Sequence, residues 1–166
     1  MRRLAVVLGV FALAVPVGAG ALSRGPGDGT LVVENAQGVV VLNVRGGIIG
    51  RFDQGTIEVY DPVPGDGPPP RVFGYQKAQT LGPRRTQYTG ENDVRFRLIG
   101  GVYRVRISAI GIDLSAVGRG TVLLDASGFA DQSGRFSVNG APFQAMPSVP
   151  TRYTLGLPLP APPGSK

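Results

Sequence analysis

Short apolar runs rich in β-branched residues, separated by glycine and other turn-forming residues, are the feature that most restricts the fold of this chain. The runs are too short for helices and are bounded as strands in hairpins are. They comprise Thr30 to Asn35, Gly38 to Val44, Ile48 to Asp53, Thr56 to Asp61, Val94 to Ile99, Val102 to Ala109, Ile112 to Val117, Thr121 to Ala126, Arg135 to Val138 and Tyr153 to Leu157. The pattern predicts an all-β fold, a two-sheet sandwich or flattened barrel of about nine or ten short strands.

The N-terminal segment carries the pattern of a secretory signal peptide. Arg2 and Arg3 precede an apolar run from Leu4 to Val15, which is followed by small residues ending at Ala21. A twelve-residue helix reaches about 18 Å, well short of the roughly 30 Å hydrocarbon core of a membrane. We therefore expect residues 1–21 to direct export to the cell envelope or the medium, with retention as an N-terminal anchor as the alternative.

The rest of the chain reads as one domain. Residues 22–29 form a flexible leader rich in turn formers, and a single β domain follows over residues 30–157. Within it, residues 62–70 hold prolines that cannot join a sheet interior and predict an exposed loop. Tyr75 to Leu81 is compatible with a short helix, and residues 158–166 form a Pro-rich tail.

Composition excludes several classes of chemistry. Cysteine and histidine are both absent, which rules out disulfides, thiol or imidazole catalysis, and ordinary zinc or copper sites. We therefore expect no metal and no cofactor. The formal net charge is +6, and every basic residue except Lys77 and Lys166 is arginine. This charge is a weak indication of anionic partners such as envelope polymers or lipid headgroups, and it does not indicate nucleic acid.

One constellation of residues has recognisable chemistry. If Gly100 and Gly101 form a two-residue hairpin turn, Arg97 lies opposite Arg104 and Arg95 lies opposite Arg106. The four arginines then share one face, while the other face is apolar and suits the core. Guanidinium groups in such a row could bind phosphate, carboxylate or sulfate groups.

A simpler explanation of the arginine row needs no ligand. Acidic side chains from neighbouring strands could neutralise it, or the row could just face water and protect a sheet edge from aggregation. The acidic candidates are Glu58, Glu91, Asp93 and Asp113.

A faint internal repeat relates the two strand-rich regions. Thr30 to Asp61 aligns with Asp93 to Asp125, with Gly120-Thr121 in the place of Gly55-Thr56. Two related halves would suit a sandwich, although Gly-Thr followed by an aliphatic residue can also recur by chance in a glycine-rich chain.

The region from Arg95 to Asp125 resembles a set of small secreted β-rich proteins of high-GC Gram-positive bacteria that have no assigned activity. The resemblance depends on Gly100-Gly101, on the segment from Gly111 to Ser115, and on Gly118 to Gly120. It implies an exported all-β domain and assigns no functional residue.

Three functional hypotheses follow in order of preference. The first is a non-enzymatic module that binds an anionic polymer or surface through Arg95, Arg97, Arg104 and Arg106. The second is a structural, self-associating or accessory β domain without a ligand. The third is a hydrolase with two catalytic carboxylates, which could come from Asp53, Glu58, Asp113 and Asp125.

Overall fold

The computed structural model describes residue 22 and the ranges 24–129 and 133–156. The expected signal segment 1–21 and the Pro-rich tail 158–166 lie outside the described residues. Within these ranges the chain forms nine strands and no helix, so the all-β prediction is confirmed. The strands are β1 (Gly29–Phe52), β2 (Gln54–Tyr60), β3 (Arg71–Phe73), β4 (Lys77–Gly82), β5 (Arg85–Gly90), β6 (Val94–Asp125), β7 (Arg135–Val138), β8 (Gln144–Ala145) and β9 (Thr151–Leu155).

All nine strands belong to one antiparallel sheet. Its order is β4-β5-β2-β6-β1-β7-β8, and β3 and β9 also pair with β6. Over the described part of the chain this pairing path does not close on itself. The prediction of a flattened barrel is therefore wrong.

The predicted division into many short strands is also wrong, because two strands are very long. Three predicted runs between Thr30 and Asp53 join into β1, and four between Val94 and Ala126 join into β6. Glycines separate these runs as predicted, but the chain continues through them in extended or bulged conformation and does not reverse. The register of β1 against β6 shifts near Gly38 and again near Gly46, where such irregularities bend strands.

The two long strands pair with each other twice. Val39 in β1 lies opposite both Ser108 and Asp125 of β6, and Arg51 lies opposite both Arg95 and Asp113. Residues 39–51 of β1 therefore run between two separate segments of β6.

The pairing agrees with the internal repeat suggested by the sequence. The strand that opens with Gly55 pairs with the middle of β6, with Gly55 opposite Ala109. The segment that opens with Gly120 pairs in the same way with the middle of β1, with Gly120 opposite Val44. Each half of the chain thus adds its Gly-Thr strand beside the long strand of the other half.

The core lies along one face of this sheet. Alternate residues of β1 and β6 are buried, including Leu42, Leu98, Ile107 and Leu124, each with no exposed surface. The buried side chains of β1 and β6 form one hydrophobic core together with those of β2, β7 and β9. Burial of these side chains drives the fold, because each contributes about 1.5 to 3 kcal/mol when removed from water.

The segment around 75–81, compatible with a helix by sequence, is instead part of the β4–β5 hairpin. Every residue of β4 except Gly82 is exposed, and no residue of β5 except Gly90 is buried. Since most side chains of the hairpin are polar and only partly buried or exposed, with Tyr88 packed against the core, its sequence shows little apolar alternation, and the strands could not be recognised from periodicity.

The Pro/Gly segment 62–70 joins β2 to β3 and is attached to the sheet by two side chains. The Asp66 carboxylate accepts a hydrogen bond from the Val102 backbone N–H at 3.1 Å. The hydroxyl of Tyr103, which is 1% exposed, donates to the carbonyl of Pro68 or that of Ile99, at 3.1 and 3.2 Å. Burial raises the pKa of Tyr103, and the charges of Asp61 and Asp66 add to the effect.

Candidate anion-binding surface

The two faces of β6 have the composition expected from the sequence. The apolar residues of its first half are buried, and the four candidate arginines Arg95, Arg97, Arg104 and Arg106 are exposed. The buried residues are Val94, Phe96, Leu98, Tyr103, Val105 and Ile107. Alternation on each side of Gly100 places two arginines on the outer surface, and the alternation shifts by one residue between Leu98 and Gly101, which keeps both pairs exposed.

The hairpin at Gly100 and Gly101, however, does not form. The strand β6 runs on from Val94 to Asp125, and Gly100, with φ of 77°, lies where the register against β1 changes by one residue. Arg97 and Arg104 are thus successive along one strand, about 23 Å apart at 3.3 Å per residue if the strand were straight. The prediction of a single row of four facing arginines is therefore wrong. Arg95 and Arg97 lie in one part of β6, and Arg104 and Arg106 lie in another.

Arg95 belongs to a neutralised cluster. It forms an ion pair with Asp93 and lies opposite Arg51 of β1. Arg51 in turn contacts Asp113 at 2.9 Å and lies 3.7 Å from Asp93 and from Asp53. The hydrogen bond and charge of Asp113 raise the pKa of Arg51, and the hydrogen bond from Arg95 lowers the pKa of Asp93. For Arg95 the acidic-neighbour explanation of the sequence therefore applies.

The lowered pKa of Asp93 predicts a small acid-sensitive contribution to stability. A carboxylate whose pKa is lower in the folded chain stabilises the fold above the unfolded value of about 4, and this contribution is lost as pH falls through the folded value. Asp93 has φ of 49°, which asparagine tolerates, so Asp93→Asn removes the charge without backbone strain. We expect the variant to be less stable at pH 7 by under about 1 kcal/mol, since the pair is exposed. Urea unfolding at pH 7 and pH 2.5 measures this, and a difference that persists at pH 2.5 contradicts it.

Arg97 lies beside a second arginine. It pairs directly with Arg71 of β3, and the two side chains line a groove of about 290 Å³ with Pro68, Pro69 and Ile99. Neither arginine has a carboxylate within 4.0 Å among the described residues. This pair of like charges is separate from the cluster around Arg95.

Arg104 and Arg106 lie in the middle of the sheet, beside an arginine that the sequence did not indicate. Arg104 is opposite Asn43 of β1, so Arg45, two residues further along β1, is its diagonal neighbour. We call Arg45, Arg104 and Arg106 the arginine band. All three are exposed, and within the described ranges none forms an ion pair with a carboxylate.

Carboxylates near the band are few. Glu58 of β2 lies opposite Arg106, but its Oε1 is bound by Arg85 at 2.8 Å. Arg119, opposite Arg45, is paired with Asp28 at 3.3 Å and so adds no uncompensated charge. The band therefore remains a local excess of positive charge.

A cleft of about 550 Å³ opens at the end of the band nearest the β4–β5 turn. Its lining residues are Glu58, Tyr60, Leu81, Gly82, Pro83, Arg84, Arg85 and Arg104. The guanidinium carbon of Arg104 lies 5.7 Å from the centre of the Tyr60 ring, a cation–π contact that orients the arginine. Sequence reasoning missed the cleft because its residues come from three parts of the chain.

Two of the carboxylates considered for a hydrolase, Asp53 and Asp113, lie beside Arg51 and belong to the neutralised cluster described above. Within the part of the chain that the structure describes, no group of three or more carboxylates is placed to hold a metal ion. Asp28 and Asp66, in the Gly-Asp-Gly segments, accept backbone hydrogen bonds from Gly25 and Val102. Asp28 thus closes a local turn, and Asp66 holds the segment 62–70 to β6.

Comparisons with known proteins add no functional information. No family model, curated protein or solved structure matches the chain. The resemblance to small secreted proteins of Gram-positive bacteria thus stays a prediction. The described residues also include no helix of the length and hydrophobicity that a membrane crossing requires.

Proposed function

We propose that this protein is a non-enzymatic binding module of the cell envelope or extracellular space that holds an anionic polymer or surface on its outer face. The observation that carries the proposal is the arginine band, three exposed arginines on the paired strands β1 and β6 that have no carboxylate within 4.0 Å in the described structure. Arginine suits this role because its planar fork can donate two parallel hydrogen bonds to one carboxylate, phosphate or sulfate group.

The placement of the band on rigid strands favours binding. Its members lie on β1 and β6, which pair along most of their lengths, so the backbone pays little ordering entropy when a ligand binds. Like charges on neighbouring strands disfavour each other by a fraction of a kcal/mol, and a bound anion offsets that repulsion.

A two-layer arrangement of the sheet is part of the proposal. Each half of the chain bends at its glycines, and the double pairing of β1 with β6 suits a sheet folded over its own apolar face as a sandwich. In that arrangement the band and the Arg71–Arg97 pair lie on different layers, and the proposed anion site is the band alone. Export through the signal segment 1–21 would place it in the envelope or outside the cell.

The test is elution from an immobilised polyanion with rising salt. The triple variant Arg45→Gln, Arg104→Gln, Arg106→Gln should bind roughly a hundredfold more weakly, at about 1 kcal/mol per arginine. Binding of the parent protein to the polyanion should weaken steeply as the salt concentration rises, because salt screens the attraction between exposed charges.

The control is the triple variant Arg24→Gln, Arg71→Gln, Arg97→Gln. These arginines are also exposed and without a carboxylate within 4.0 Å in the described ranges, so the same charge is removed elsewhere. Equal shifts in both variants would mean nonspecific charge, and the ligand-free structural module would become the better explanation.

A further inference from the structure

We propose that the cleft beside Tyr60 binds a sugar ring, and that the anionic polymer held by the arginine band is an acidic polysaccharide. This inference depends on the proposed function and specifies its ligand. The observation behind it is that the cleft combines free guanidinium groups with apolar surface and a carboxylate.

The cationic part of the cleft comes from two arginines. Arg104 and Arg84 have no carboxylate partner within 4.0 Å in the described structure. Arg84 donates a hydrogen bond to the Pro62 carbonyl at 3.0 Å, which fixes its direction and leaves its other N–H groups available. These groups can bind the carboxylate of an acidic sugar.

The apolar part of the cleft suits the carbon face of a ring. Leu81 is 42% exposed, and Pro83 follows it in the β4–β5 turn, so both present apolar surface to the cleft. Tyr60 is half-buried on the adjacent strand β2. A simple phosphate chain has no apolar face to cover these side chains, whereas a sugar ring does.

Glu58 distinguishes a sugar from an inorganic polyanion. Arg85 contacts only its Oε1, at 2.8 Å, so Oε2 remains able to accept a hydrogen bond. A carboxylate repels a ligand that carries only negative oxygens, but it binds the hydroxyl groups of a sugar. The position of Glu58 in the lining therefore favours a ligand that has both hydroxyl groups and a negative charge.

The experiment compares two polyanions, polygalacturonate and inorganic polyphosphate, in binding to the protein measured by calorimetry. We expect Glu58→Gln to weaken polygalacturonate binding about fivefold, because a neutral hydrogen-bond acceptor replaces a charged one, and to strengthen polyphosphate binding about fivefold. A second variant, Tyr60→Leu, should weaken binding of polygalacturonate more than binding of polyphosphate, because both ligands lose the orientation of Arg104 but only the sugar loses the ring face.

The matched control is Glu34→Gln. Glu34 also pairs with an arginine, Arg135, at 2.6 Å on an outer strand, so this variant makes the same change of charge away from the cleft. This variant should slightly strengthen the binding of both polyanions.

If Glu58→Gln weakens polygalacturonate binding and strengthens polyphosphate binding, the result supports the sugar site. If Glu58→Gln strengthens both, or if the parent protein does not bind polygalacturonate, the sugar site is overturned. The proposed function fails separately, when the triple variant of the arginine band binds every polyanion as well as the parent does.

Discussion

Gly46→Ala should prevent stable folding or lower the free energy of unfolding by about 4 kcal/mol, a large effect for a single methyl group. Gly46 has φ of 150°, a conformation that residues with a Cβ rarely adopt. A Cβ at this position would lie 2.1 Å from the backbone oxygen of Val117. The clash is with backbone, so no side chain can rotate away to relieve it.

The neighbours of Gly46 leave no room for adjustment. Gly46 pairs with Gly101 on one side and with Gly118 on the other, so β1 is held between two segments of β6 at this point. Gly118 is equally restricted, since its own Cβ would lie 2.2 Å from the Arg45 carbonyl oxygen. Moving the chain to accept a methyl group would therefore break backbone pairing in both directions.

Urea unfolding followed by circular dichroism measures the effect, with Gly82→Ala as the control. Gly82 ends β4, has open space around it and does not have a positive φ. The control should change stability by no more than about 1 kcal/mol. If Gly46→Ala unfolds at the same urea concentration as Gly82→Ala, the close approach of β1 to both segments of β6 is incorrect.

The sequence predicted local geometry better than it predicted chain reversals. The alternation identified the buried and exposed residues of Val94 to Leu98 and of Tyr103 to Ile107 correctly, because side chains along a regular stretch of strand point to opposite faces whatever the strand pairs with. A glycine between two such runs is compatible with a turn, a bend or a bulge. At Gly100 the choice was made by pairing with distant residues of β1, so the local sequence could not predict it.

For the candidate site, too, the sequence predicted local features but not those that depend on long-range pairing. Exposure of Arg104 and Arg106 followed from alternation, but the closeness of Arg45 depends on the register between β1 and β6. The pairing of Arg95 with Asp93 was among the alternatives that the sequence allowed, because the two residues are close in the chain. The cleft at Tyr60 required the position of the β4–β5 hairpin, whose polar residues carry no strand pattern.

Ile107→Ala should lower the free energy of unfolding by about 2 to 5 kcal/mol, whereas Arg106→Ala should change it by no more than about 0.5 kcal/mol. The two residues are neighbours on β6, but Ile107 has no exposed surface and Arg106 points outward. Ile107 lies opposite Val40 of β1 and Ile57 of β2, at the junction of both halves of the chain. Removing its side chain leaves a cavity that these paired strands cannot close by shifting.

Thermal and urea unfolding of the two variants separate the role of each face. Arg106→Ala should keep the stability of the parent protein and lose part of its affinity for polyanions, while Ile107→Ala should lose stability and keep affinity wherever it is folded. An outer face needed for stability would instead make both variants unfold early. In that case the arginines of the band would contribute to folding stability. Alternation along β6 does not predict such a contribution.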